Sequence, residues 1–235
     1  MIERFLKQTK FTSVEDYNKN LEFIIPENFN FAYDVMDAWA EEAPEKLAIL
    51  WTNDQGEEIR TTYGELKEQT DQAASYLQTL GIGKNDPVML ILKRRYEWWV
   101  VMLALCKIGA IVIPATHMLT KHDIVYRNTR ASVKAIICVD DPYVVSQIQA
   151  AMSESPTVKQ YITITDHGKP IPEGFHDWQS EWKQAPKFVR PAFVNTNDDT
   201  MLMYFTSGTS GEPKMVAHDY TSRSEERRVG KECRS

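Results

Sequence analysis

Four short runs rich in apolar and β-branched residues, at 87–92, 110–114, 135–139 and 161–165, are separated by stretches of helical period at 97–108, 120–129 and 144–152. Strands of an antiparallel sheet with one wet face alternate apolar and polar residues, whereas parallel strands are covered on both faces and read as near-continuous apolar runs. Strand, helix and strand recurring in this order therefore predict an α/β fold, with layered, mostly parallel sheets and flanking helices. With 43% hydrophobic residues, the 235-residue chain can bury one large core or two small ones.

Upstream of the first run, Phe31, Val35, Met36 and Trp39 recur at helical spacing behind Asn30, a candidate N-cap. Segments 47–52 and 58–62 flank Asn53, Asp54, Gln55 and Gly56 and read as a hairpin. Thr62 and Glu65 have capping-box spacing, and Leu66, Thr70, Ala73, Leu77 and Leu80 follow at intervals that predict a helix ending at Gly81. Downstream, Pro170, Pro172, Pro186 and Pro191 break residues 168–191 into an irregular connection with a short helix. Adjacent Trp98 and Trp99 point about 100° apart on a helix, so core packing is expected rather than one stacking platform. Residues 116–118 follow a strand end and read as a surface loop.

Composition excludes several functions. A formal charge of −6 and the lack of a basic stripe argue against a nucleic-acid surface. The longest apolar stretch, 98–106, is too short to span a bilayer, and residues 1–20 do not have the pattern of a secretory signal. Cys106, Cys138 and Cys233 are far apart, and the first two sit in apolar runs, so buried free thiols are expected. The five histidines show no metal-ligand pair, so no metal site is expected. Cytoplasm is the expected compartment. Residues 223–235 carry five Arg or Lys and one aliphatic residue, Val229; the string resembles a translated sequencing adapter and is read as a non-native tail.

The chemistry concentrates at 204–214. An apolar run from Met201 to Phe205 leads into Thr206, Ser207, Gly208, Thr209, Ser210, Gly211, Glu212, Pro213 and Lys214. Glycines let the backbone approach a ligand closely, successive N–H groups in such a turn form an anion site, and the lysine adds a mobile positive charge. The segment suits a polyphosphate. It is not a Walker A sequence, since Pro213 precedes Lys214 and Met215 follows it. Pro213 also biases Glu212 away from the α region, so the loop should not run straight into a helix; His218 is expected near the start of a later one.

This signature resembles the phosphate loop of the adenylate-forming enzymes, with Ser210 where Thr is commoner. The likeness extends to Phe29–Ala40, to Arg95, Tyr96, Glu97, Trp98 and Trp99, to Lys107, Ile108, Gly109 and Ala110 with Pro114, and to Asp198 and Asp199. Phe205 and Met215 point toward the medium-chain acyl-CoA synthetases. The resemblance implies an incomplete N-terminal part of the large domain: 1–222 would be a partial AMP-binding domain, with the C-terminal domain absent. It implies an AMP-forming ligase that joins a short- to medium-chain carboxylic acid to coenzyme A through an acyl-adenylate, using ATP and Mg²⁺. Residues 206–214 would bind the nucleotide's phosphates, with no catalytic or metal-ligating residue assigned. The chain alone is expected to be inactive. Activation of an amino acid or aryl acid, and a non-catalytic nucleotide-binding module, remain as alternatives.

Overall fold

The fold, a computed structural model, is described over residues 2–165, 170–206 and 211–222. Residues 223–235, read above as a tail, and residues 207–210 of the glycine-rich segment lie outside these.

An N-terminal helix, α1 (Val14–Asn20), precedes a helical stretch in which a π-type turn, Ala32–Asp37, runs into α2 (Ala38–Glu42). Asn30 caps it: its side-chain oxygen accepts from the Ala32 N–H, and its own N–H donates to Asp34. β1 (Leu47–Thr52) and β2 (Glu58–Thr62) form the expected antiparallel hairpin, closed by Gly56 at a φ of 79°. Thr62 then caps α3 (Tyr63–Thr79) in a full capping box with Glu65.

The rest of the chain builds one large sheet. β3 (Pro87–Ile91), α4 (Glu97–Lys107), β4 (Ile111–Pro114), α5 (Lys121–Ala131), β5 (Ala135–Val139), α6 (Pro142–Ala151) and β6 (Gln160–Ile164) follow in the order the apolar runs predict. The two-residue β7 (His176–Asp177) and α7 (Trp178–Glu181) lie in the proline-rich connection, before β8 (Thr200–Thr206) and β9 (Lys214–Asp219). Strand order is β7-β6-β5-β3-β4-β8-β9, parallel except for β9. Crossovers between parallel strands are right-handed. The step from β3 to β4 therefore puts α4 on one face, and the reverse steps to β5 and β6 put α5 and α6 on the other. α3 packs beside α4, and α5 beside α6.

Burial follows from that sandwiching. Met89, Ile113, Ile136, Ile137 and Ile162 have essentially no exposed surface. Each such side chain contributes about 1.5–3 kcal/mol relative to an exposed one. Cys106 and Cys138 are buried free thiols, as expected.

Two readings are corrected. Residues 214–219 form a strand, so His218 lies in β9 opposite Leu202 and not at a helix start. Trp98 packs against the core, but Trp99 is 50% exposed. It lies on the face of α4 turned toward an apolar cleft with Phe5, Phe29 and Met102, which is why it is not in the sheet core. The two indoles meet edge to face and form no stacking platform. The π-type turn had no counterpart in the periodicity.

A fixed charge joins the helices on the α4 face. Lys107, the last residue of α4, is fully buried; its ammonium lies 2.8 Å from Asp37 and 2.6 Å from Asp71. Tyr33, one turn before Asp37, donates to the Lys107 carbonyl at 2.9 Å. Gly109 then turns the chain into β4 at a φ of 72°, where a Cβ would sit 2.9 Å from the Val194 carbonyl.

Candidate phosphate-binding hairpin

In open parallel sheets, ligands bind outside the C-terminal ends of the strands. β3, β4, β5, β6 and β8 all finish at one edge of this sheet. The chain leaves β3 toward β4 and leaves β5 in the opposite direction, so the connections diverge between β3 and β5. There Lys93, held at a φ of 49°, reaches 2.6 Å across to Asp141. That bond, more than any other contact, keeps the Asp141 carboxyl below its usual range, and Asp141 in turn caps α6. A neighbouring cleft of about 540 Å³ is lined by Leu90, Lys93, Arg94, Pro114, Thr116 and His117. Thus the loop at 116–118 borders a cavity at this edge.

The glycine-rich segment rises from the same edge. β8 carries Tyr204, Phe205 and Thr206 upward, and β9 returns from Lys214, so residues 206–214 connect two antiparallel arms. As Pro213 requires, the loop leads into extended chain and not into a helix. Thr206 faces Lys214 in the last rung of the ladder, its hydroxyl 3.4 Å from the Lys214 carbonyl. Gly211 has a φ of 95° with open space where a Cβ would stand, so it is the backbone conformation that calls for glycine there. Lys214 and Glu212 are exposed. Of the nine residues singled out from the sequence, Thr206, Gly211, Glu212, Pro213 and Lys214 gather at this hairpin end; Ser207, Gly208, Thr209 and Ser210 lie outside the described residues.

What the sequence did not single out is the support beneath the hairpin. Thr120 and Asp123 form a capping box at the start of α5, the Asp123 N–H donating to the Thr120 hydroxyl at 3.3 Å and the carboxylate accepting from the Thr120 N–H at 3.0 Å. The Thr120 hydroxyl also donates to that carboxylate at 2.7 Å, and this bond first, then the one from the Thr120 N–H, holds the Asp123 carboxyl below its usual range. From the helix so anchored, the Tyr126 hydroxyl donates to the Pro213 carbonyl at 3.0 Å. The Tyr126 ring meets Phe205 edge-on, with centroids 6.2 Å apart, and the Arg127 guanidinium lies 5.2 Å from the centre of the same Phe205 ring. His122 bonds to the Glu212 carboxylate at 2.9 Å. The sequence signal was faint, a polar helix following a strand end, because these contacts depend on β4 and β8 being neighbours.

Among the described residues, no three His, Cys, Asp or Glu side chains cluster closely enough to hold a metal ion. None of their helices is long and apolar enough to cross a membrane.

The chain is similar to known proteins in sequence and in fold. The chain is 34% identical over 205 residues to human mitochondrial acyl-coenzyme A synthetase ACSM1, covering 85% of this chain and 34% of that protein. It is 33% identical over 210 residues to the mitochondrial acyl-coenzyme A synthetase ACSM5 of Rattus norvegicus, covering 84% and 34%. The chain thus spans about a third of the length of these curated relatives. Among solved structures, the anthranilate CoA ligase AuaEII in complex with anthranoyl-AMP superposes with a TM-score of 0.73 at 20% identity, over 83% of this chain and 36% of that one. An acyl-CoA synthetase of Brucella canis superposes with a TM-score of 0.72 at 21% identity, over 84% and 34%. These two likenesses establish the fold. The profile of the AMP-binding enzymes matches residues 36–226, most of the chain, which belongs to that family.

Proposed function

We propose that this chain supplies the phosphate-gripping part of an AMP-forming ligase that activates a carboxylic acid with ATP and passes the acyl group to coenzyme A. The observation that carries the reading is the hairpin at 206–214, set at the C-terminal edge of a parallel sheet in a chain of the AMP-binding family. The names of the relatives, all acyl-coenzyme A synthetases, support the acid-thiol class, and a short- to medium-chain acid is the substrate we favour.

The chemistry follows from where charge develops. A carboxylate oxygen attacks the α-phosphorus of ATP, the bond to the bridging oxygen of pyrophosphate breaks, and that leaving group gains negative charge. Fixed donors and a cation beside the leaving group lower the barrier most when they are in place beforehand. Gly211 gives the backbone the turn it needs, the Thr206 hydroxyl lies at the base of the cradle, and Lys214 brings its ammonium from the first rung of β9. The thiol of coenzyme A then attacks the acyl carbon and AMP leaves. Magnesium would accompany the nucleotide's phosphates and add positive charge beside the leaving group; among the described residues no three His, Cys, Asp or Glu side chains cluster to hold it.

The test is acid-dependent exchange of labelled pyrophosphate into ATP by the whole protein. Exchange that requires a carboxylic acid supports the reading, and ATP binding without exchange would favour a non-catalytic module.

A further inference from the structure

We propose that Tyr126 is a positioning residue for the nucleotide step, setting the direction in which Lys214 leaves the hairpin; this rests on the reading of the hairpin as an ATP site. The last rung of the ladder is Thr206 opposite Lys214, so strand pairing does not fix the chain beyond it. Pro213 comes immediately before that rung. Its ring locks φ, and it has no N–H with which to join a ladder. The remaining soft angle is its ψ, which rotates the peptide plane carrying the Pro213 carbonyl and the Lys214 nitrogen. The Tyr126 hydroxyl bonds to that carbonyl at 3.0 Å and pins the plane.

The same side chain also fixes the opposite arm. Its ring meets Phe205 at 6.2 Å, and Arg127 lies against that ring as well. One half-buried tyrosine, on a helix anchored by its capping box, therefore references both arms of the hairpin to a single point. Bond and ring contact act together: the ring holds the arm entering the loop and the hydroxyl holds the arm leaving it. Tyr126 touches no reacting atom in this account and acts through Lys214.

The experiment is steady-state pyrophosphate exchange by the whole protein, comparing wild type, Tyr126→Phe and Lys214→Ala, with thermal unfolding of each. Tyr126→Phe keeps the ring against Phe205 and deletes only the hydroxyl. Loss of one hydrogen bond that orients a binding group should raise the KM for ATP about three- to tenfold, with the KM for the acid and the unfolding midpoint unchanged. Tyr126→Leu, which removes the ring contact too, should be worse for ATP than Tyr126→Phe. A Tyr126→Phe enzyme with wild-type KM for ATP beside an impaired Lys214→Ala enzyme would overturn the proposal while leaving the nucleotide reading intact. So would a lowered unfolding midpoint with unchanged kinetics, which marks a merely structural tyrosine. If Lys214→Ala itself matched wild type, the underlying reading would fail and this proposal with it.

Discussion

Thr206 and Lys214 face each other across the final rung of the antiparallel pair β8–β9 at the edge of the large sheet. That relationship places a hydroxyl and an ammonium at opposite feet of one short loop. It also ties the lysine's backbone to a strand whose other neighbour, β4, is in the core. The charge is thus carried by an exposed side chain on a paired strand.

The buried ammonium of Lys107 should be the most costly charge to remove. Lys107→Met leaves Asp37 and Asp71 without their shared partner, and breaking a buried pair from one side costs about 3–5 kcal/mol. Burial already raises the Asp37 carboxyl above its usual value of 3.8, against the opposing pull of Lys107. Because its folded-state value is raised, Asp37 contributes most to stability below 3.8 and loses that contribution as pH rises through the raised value. Without Lys107 the raising is larger. Urea unfolding should therefore show the deficit of Lys107→Met shrinking as pH falls from neutral toward the carboxylate range, as Asp37 takes up its proton. A deficit independent of pH would contradict this.

Gly109→Ala should destabilise through two causes at once. The φ of 72° strains any L side chain, and the new methyl would meet the Val194 carbonyl at 2.9 Å. A loss of about 2–3 kcal/mol is expected, larger than at Gly81, where the φ is 77° but space is open. Chemical denaturation of the two variants side by side checks the order; equal losses would remove the steric part of the argument.

Cys106 and Cys138 should be inert toward thiol reagents in the folded chain. Burial pushes both thiols up to about 12, and only the thiolate is nucleophilic. Alkylation followed by peptide mapping should leave both unmodified until denaturant is added. Labelling of either at the rate of a free thiol would show that the core around α4 or β5 opens.

The helix beneath the hairpin should be acid-sensitive. The folded Asp123 carboxyl lies below its unfolded value, so its contribution is present above that value and disappears as pH falls through the lowered one. Thr120→Ala removes the hydroxyl whose bond to the carboxylate is the largest single cause of the lowering, and should cost about 1 kcal/mol at neutral pH. The cost should diminish under acid, measured by urea unfolding across the carboxylate range; a constant difference would contradict the assignment.

Much of the fold is legible because buried parallel strands leave little choice of residue. The runs around Met89, Ile113 and Ile137 are apolar on both faces, and the Thr62 and Glu65 spacing announces α3. β9 is harder to read: Lys214, Met215, Val216, Ala217, His218 and Asp219 carry no strong pattern, and pairing with β8 decides their conformation. The candidate phosphate-binding segment stands out through its glycines and hydroxyls, which are local. Its support does not, since Tyr126 and Pro213 are 87 positions apart and meet only once the sheet order is known. Trp99 misled for a related reason: the cleft it borders is lined mostly by the N-terminal segment, Phe5 and Phe29 included.

The most direct test is to neutralise Lys214 in the whole protein and follow acid-dependent exchange of pyrophosphate into ATP. Losing a preorganised charge at the leaving group should lower exchange about a hundredfold or more, with the unfolding midpoint unchanged since the side chain is exposed. A Lys214→Ala protein that exchanges at the wild-type rate would contradict the account.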